Sequence, residues 1–166
     1  MRTPEVSVII PNYNHEAYLK KRIDSVLNQT FGDFEAIILD DCSSDQSRVI
    51  IENYRTHPKV TQIVYNDKNS GSVFCQWEKG LLLAKGNKIW IAESDDWAED
   101  KLLELLLKKM NENKNVGISF CSSNWVDDEG EIGKNLGHYK ETFFIGGKEE
   151  IKRSLYKHNT IDNVLL

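Results

Sequence analysis

An α/β fold, with a mainly parallel sheet and helices on both faces, is predicted by three observations. Short, nearly continuous apolar runs alternate with longer segments at helical spacing, and turn-forming residues bound each run. At 166 residues the chain is long enough for one sizeable core. Such alternation implies right-handed crossovers that put helices on both sides of the sheet.

The elements follow in order. Val6, Val8, Ile9 and Ile10 predict a strand over 5–10, stopped by Pro11. From His15 the period changes: Leu19, Ile23, Val26 and Leu27 mark a helix to about Gln29, closed by Thr30, Phe31 and Gly32. Phe34 to Leu39 predicts a second strand running into Asp40-Asp41-Cys42-Ser43-Ser44-Asp45, where Asp and Ser can bond backbone groups and cap the next helix. Val49, Ile50 and Tyr54 suggest that helix, up to His57-Pro58. Val60 to Tyr65 is a third strand, and Asn66 to Gly71 a polar loop. Ser72 to Ala84 has helical rhythm in Phe74, Trp77, Leu81 and Leu82, and Lys85-Gly86-Asn87 ends it. Ile89 to Ala92 is a fourth strand leading into Glu93-Ser94-Asp95-Asp96. An amphipathic helix over 98–112 follows, with Glu99 and Asp100 in its first turn and Lys108 and Lys109 near its end, as the helix dipole prefers. Val116 to Cys121 is expected as a fifth strand, Asp127 to Gly130 as a hairpin turn, Tyr139 to Ile145 as extended chain, and Lys148 to Lys157 as a last short helix.

Composition narrows the function classes. With 21 Lys+Arg against 26 Asp+Glu the net charge is −5, which repels nucleic-acid backbones and acidic membrane surfaces, so no nucleic-acid partner is expected. No apolar run approaches the roughly 20 residues that span a bilayer, and membrane association is not encoded in these residues. Met1 to Glu5 opens into a strand rather than a signal peptide, giving a cytoplasmic expectation. Cys42, Cys75 and Cys121 lack the spacing of a zinc site or a disulfide scaffold and are expected to be reduced. His15, His57, His138 and His158 lack the spacing of a zinc protease and are expected as exposed or capping residues.

In a parallel sheet ligands bind outside the carboxyl ends of the strands, near the point where strand order reverses. Three unusual segments fall there: Pro11-Asn12-Tyr13-Asn14, Asp40-Asp41 and Glu93-Ser94-Asp95-Asp96. If the second and fourth strands flank the first, all three share one crevice. Two carboxylates about 4 Å apart repel by roughly 4 kcal/mol at an effective dielectric near 20, so clustered aspartates call for a cation, strong donors or protons. All-oxygen ligation points to Mg²⁺ or Mn²⁺, which commonly takes one or two carboxylates and completes its shell with water and phosphate oxygens. The alternative is that these acids are loop supports and helix caps. There is no Gly-x-Gly-x-x-Gly turn, no P-loop and no Gly-x-Ser-x-Gly elbow, which disfavours a classical dinucleotide fold, a Walker-type nucleotidase and an α/β-hydrolase.

Four segments in order across residues 5–100 resemble the inverting family 2 glycosyltransferases of the GT-A (Rossmann-like) fold. Val6 to Asn14 followed by Tyr18-Leu19 and Ser25 to Phe31 resembles the family's opening. Leu39 to Asp45 resembles its nucleoside-binding loop, with glycine more usual where Cys42 stands. Asn69-Ser70-Gly71 with Lys79-Gly80 resembles the loop before the fourth strand, and Glu93 to Asp96 the Asp-x-Asp metal motif.

The resemblance implies transfer of a sugar from a nucleotide-diphosphate-sugar donor, a UDP-sugar favoured, to a saccharide or lipid-linked acceptor with inversion, in cell-surface polysaccharide synthesis. Pro11, Asn12 and Tyr13 would line the donor pocket. Asp41 would accept hydrogen bonds from the nucleoside, with Asp40 supporting the loop. Asp95 would sit near ribose and diphosphate and, with Asp96, serve the Mn²⁺ or Mg²⁺, Asp96 foremost. Glu93 stands where many members have Asp, and Gln76 or Lys79 where many have Arg. Trp97 would be the aromatic nearest the donor, whereas Trp90 reads as core. The family's general base comes from a carboxy-terminal half; Asp162 falls too early, so the base is expected beyond Leu166, with residues 1–166 forming a donor-binding domain. Peripheral association with the inner membrane would come from that further part. Two other readings remain: a non-catalytic nucleotide-binding fragment, and a metal-dependent phosphoryl-transfer enzyme, although the latter usually carries an acid after its first strand.

Overall fold

The computed structural model describes residues 2–127, 131–135 and 141–152. Its centre is a four-stranded parallel sheet of β1 (Val6–Asn12), β2 (Phe34–Asp40), β3 (Val60–Tyr65) and β4 (Lys88–Ile91), in the order β3-β2-β1-β4. The second and fourth strands therefore flank the first.

Alternation of side chains about the strand axis divides the core. Val6, Val8 and Ile10 of β1 with Ala36 and Ile38 of β2 face one cluster, while Ile9, Ile37 and Leu39 face the other. Both faces are covered, which is why these strands read as unbroken apolar runs. The larger cluster is completed by α1 (Glu16–Leu27), α2 (Ser47–Glu52) and α4 (Leu102–Glu112) through Leu19, Ile23, Ile51, Leu103 and Leu107, with Trp90 fully buried among them. The opposite face is covered by α3 (Val73–Leu83), whose Gly80 lies against Ile9; a Cβ there would come within 2.4 Å of Ile9 Cγ2. Helices on both faces are as expected.

The first strand continues through Pro11, beyond its predicted end at Ile10, with Pro11 paired to Leu39 and Asn12 to Asp40. Ala92 N donates to Ile9 O, so the odd-numbered residues of β1 turn their backbone groups towards β4. The ladder to β4 stops at Ile9, and the missing N–H of Pro11 falls past it.

The predicted strand Val116–Cys121 does not form. A single bridge position stands at Ser119, and Gly117 and Ile118 are exposed. Val116 and Cys121 still pack on the larger core without a ladder: apolar alternation marks a half-buried extended run, but a strand also needs a partner edge. The predicted hairpin is present as antiparallel β5 (Asn124–Val126) and β6 (Ile132–Asn135); its turn at 128–130 lies outside the described residues. Residues 141–146 are irregular, and α5 (Gly147–Glu150) begins the last predicted helix, whose continuation beyond 152 lies outside the described residues, as do Tyr139, His138, His158 and Asp162. All three cysteines are free.

Candidate active site at the carboxyl edge of the sheet

Asn12 and Asp40 are paired neighbours at the ends of β1 and β2, and Asp41 N donates to Asn12 O at 2.9 Å. Asp40 is fully buried. Its carboxylate accepts from Asn12 Nδ2 at 2.9 Å, Ser43 N at 3.1 Å and Arg48 Nε at 3.2 Å. Those donors come from the end of β1, the loop and α2, and together they fix the start of the Asp40–Asp45 loop. Asn12 also donates to Ser43 Oγ at 3.1 Å, while Pro11 is buried and Tyr13 stands half-exposed at the lip.

Two residues of these loops take left-handed backbone conformations: Asn14 at φ 55° and Cys42 at φ 63°. That conformation explains why glycine suits the Cys42 position. Asn14 accepts from Ser44 N at 2.8 Å, which ties the loop after β1 to the loop after β2, and Asn is one of the few residues other than Gly that adopts this region. The N-cap of α2 is Gln46, which makes no side-chain cap bond; one position earlier, Asp45 accepts from Ser47 N at 3.0 Å and from Glu16 N at 2.9 Å, while Glu16 accepts from Gln46 N. The starts of α1 and α2 thus brace each other. Burial opposes the Asp45 charge, but the donations from Ser47 and Glu16 outweigh it and hold its carboxyl below the ordinary range.

Asp41 is also buried, and the loop before α3 closes over it. Asn66 Nδ2 donates to Oδ1 at 2.6 Å, Ser70 N bridges both oxygens at 2.9 and 3.1 Å, and Ser70 Oγ donates to Oδ2 at 2.7 Å. Behind these, Gln76 Nε2 donates to Ser70 Oγ at 3.2 Å and Lys79 Nζ to Asn66 Oδ1. Gly71, at φ 73°, makes the turn that brings Ser70 in. Gln76 and Lys79 therefore support the Asp41 clasp.

The acidic turn after β4 splits its four residues between anchors and open positions. Glu93 accepts from Trp77 Nε1 at 2.8 Å, and burial, with Asp95 and Asp96 adding to it, raises its carboxyl above the ordinary range. Ser94 is buried, its Oγ 2.7 Å from His15 Nδ1. Asp95 and Asp96 are exposed. Beneath them Arg22 is fully buried, its Nε donating to Glu93 O at 2.6 Å and its Nη2 lying 3.7 Å from Asp96 Oδ2. Lys21 Nζ lies 3.1 Å from the centre of the Trp97 ring.

The rest of α1 continues the clasp. Ser25 Oγ accepts from Ala98 N at 3.2 Å; Gln29 accepts from Leu103 N at 2.9 Å and donates to Glu99 O at 2.8 Å; Thr30 N donates to Asp100 O at 2.8 Å. The Ser25 to Thr30 segment thus positions the acidic turn and the start of α4. Sequence reasoning missed His15, Lys21, Arg22 and Trp77. One signal was available for Arg22: it sits three residues after Leu19 and four before Val26, on the buried stripe of its helix, where a lone cation is out of place.

The donor set suits a hard divalent cation completed by other oxygens. Among the described residues no group of three or more His, Cys, Asp or Glu is arranged to hold a metal by itself. Asp95 and Asp96 offer the one or two carboxylates that Mg²⁺ or Mn²⁺ takes when phosphate and water fill the other positions. Glu93, tied to Trp77, is the less available of the three.

Strand order β3-β2-β1-β4, an Asp-rich loop after β2 and an acidic turn after β4 define a glycosyltransferase domain of the GT-A fold. The chain matches the glycosyl transferase family 2 model over residues 7–163 and belongs to that family. It is 33% identical over 135 residues to a chondroitin synthase of Escherichia coli, covering 81% of this chain and 19% of that protein. The crystal structure of S. aureus TarS 1-349 in complex with UDP superimposes with a TM-score of 0.61 at 31% identity, covering 66% of this chain and 33% of that one. The mannosyltransferase PcManGT of Pyrobaculum calidifontis, in complex with GDP-Man and Mn²⁺, shares the fold with a TM-score of 0.63 at 23% identity, over 72% of this chain and 36% of that one. The chain spans about half, or less, of the length of the curated relatives it matches.

Proposed function

We propose that this chain binds a nucleotide-diphosphate sugar in the crevice above β2, β1 and β4 and contributes its donor site to inverting transfer onto an acceptor hydroxyl. The observation that carries this reading is the convergence of Pro11–Asn14, Asp40–Asp45 and Glu93–Asp96 on one edge, with β1 between its two neighbours. Pro11, Asn12 and Tyr13 line the nucleoside side. Asp41 accepts from the base once Ser70 or Asn66 yields a share of it, and Asp40 keeps the loop in place. Asp95 and Asp96 would hold Mn²⁺ or Mg²⁺ against the diphosphate, Asp96 foremost. That ion would supply Lewis-acid stabilisation of the charge developing on the leaving nucleotide.

The TarS structure with UDP supports a UDP-sugar, and the chondroitin synthase supports a polysaccharide product; a saccharide or lipid-linked acceptor is part of the same proposal. A cytoplasmic location peripheral to the inner membrane is part of the same proposal. It rests on the nucleotide-sugar substrate class alone.

The test is thermal unfolding with UDP, GDP, dTDP and CDP, each with Mn²⁺, Mg²⁺ or EDTA. Ligand at about 100 times its Kd adds about 2.7 kcal/mol, a rise of roughly 5–10 °C for a domain of this size. A metal-dependent rise with one nucleotide is expected and names the base. No rise with any of the four overturns the donor-site reading for this chain.

A further inference from the structure

Arg22 is bound like no other cation among the described residues. It is fully buried on the α1 stripe with its guanidinium carbon 5.7 Å from the centre of the Trp90 ring, and of its three nitrogens only Nε makes a hydrogen bond, to the Glu93 carbonyl. Nη1 and Nη2 are buried without a hydrogen-bond partner. A purely structural arginine would have these donors satisfied, because buried unpaired donors cost stability. Nη2 instead stops 3.7 Å from Asp96 Oδ2, within ion-pair reach but beyond a hydrogen bond. Burial brings the guanidinium down to about 10, while Asp96, Asp95 and Glu93 act to sustain its charge, so it remains a cation at neutral pH. A fixed positive charge thus sits under the turn that carries both exposed aspartates.

We infer that Arg22 is a positioning residue that makes divalent-metal binding depend on nucleotide: its buried cation holds Asp96 and offsets the acidic turn. The free protein therefore binds the ion weakly, and the diphosphate that arrives with the ion supplies the negative charge that outweighs Arg22. This inference rests on the Asp95/Asp96 metal site proposed above. It adds a role for a side chain that touches neither donor nor metal.

The experiment is a titration of the 166-residue chain with Mn²⁺, followed by the electron paramagnetic resonance of the free ion, with and without UDP. Wild-type protein should bind Mn²⁺ weakly alone and more tightly with UDP. Arg22→Met, which keeps much of the volume and removes the charge, should tighten Mn²⁺ binding without UDP by about tenfold. The enhancement by UDP should shrink by the same factor. Arg22→Lys keeps the charge and should leave Mn²⁺ affinity without UDP within about threefold of wild type.

If Arg22→Met folds and leaves both affinities unchanged, or weakens them equally, Arg22 is merely structural and the inference fails. If Arg22→Met does not fold, Arg22→Lys carries the test: a change in metal affinity of about tenfold or more, with melting intact, overturns the inference. Asp96→Ala separates the two layers. Mn²⁺ binding with UDP that survives Asp96→Ala removes the metal site and this inference with it. Loss of binding there, together with an unchanged UDP enhancement in Arg22→Met, removes the inference alone.

Discussion

Asp40 and Asp41 are adjacent in sequence and opposite in use. Asp40 is held by Asn12 at the end of β1, Ser43 and Arg48, whereas Asp41 is held by Asn66 and Ser70 of the loop before α3. In the proposed donor site, Asp41 would therefore join nucleoside recognition to the order of that loop. Asp41→Ala should leave the Asn66 and Ser70 donors without their acceptor and lower stability by about 1–3 kcal/mol. It should also weaken nucleotide binding about tenfold or more, with or without metal, because a charge-assisted acceptor is lost. Calorimetric titration with UDP in Mn²⁺ and in EDTA checks this, and unchanged affinity in both would sink the nucleoside role. Which acids gather at the carboxyl edge was legible in the sequence from their place after strands. How each is spent was not, because Trp77 on Glu93, His15 on Ser94 and Asn66 on Asp41 are contacts that exist only once distant elements are packed.

At the scale of elements, apolar runs and helical spacing located four of the five predicted core strands and the main helices, because both sheet faces are buried and the signal is dense. Val116–Cys121 shows where that reasoning stops: a run records burial, not a neighbour to pair with. Glycine spacing held a second signal, used only in part. Gly80, noted as part of a loop motif, is where α3 seats on β1, and Gly80→Ala would place a methyl group against Ile9 in a full core. A loss of about 1–3 kcal/mol is expected from such overpacking. Denaturant unfolding would read it, and no loss would mean that Ile9 shifts freely.

The Asp45 brace between α1 and α2 predicts a pH effect at the same scale. A carboxyl held below its unfolded value contributes stability that is present above the unfolded pKa and lost as pH falls through the folded one. Melting temperature should therefore decline as pH falls below about 4, and Asp45→Asn should melt lower at neutral pH with a shallower acid decline. Parallel declines in the two proteins would show that Asp45 does not carry the effect.

Across the whole molecule, the two edges of the sheet do different work. At the amino edge Ser7 Oγ donates to Glu35 at 2.7 Å, and Lys85 N donates to Glu35 at 2.8 Å while Gly86 N donates to Ser7 Oγ at 2.8 Å, a closed buried network with no open carboxylate. At the carboxyl edge Asp95 and Asp96 of one turn are exposed. A ligand seated there must contact the loops after β1, β2 and β4 together, since β1 fixes the spacing between β2 and β4, and the 66–71 loop is tied to them through Asp41. Hydrogen exchange with UDP and Mn²⁺ should slow in 12–15, 41–46, 66–71 and 93–98 at the same ligand concentration, while amides around Ser7, Glu35 and Gly86 stay unchanged. Slowing confined to one segment would mean that these loops are neighbours without being one site. Slowing spread evenly over both edges would mean that the ligand stabilises the fold without occupying the crevice.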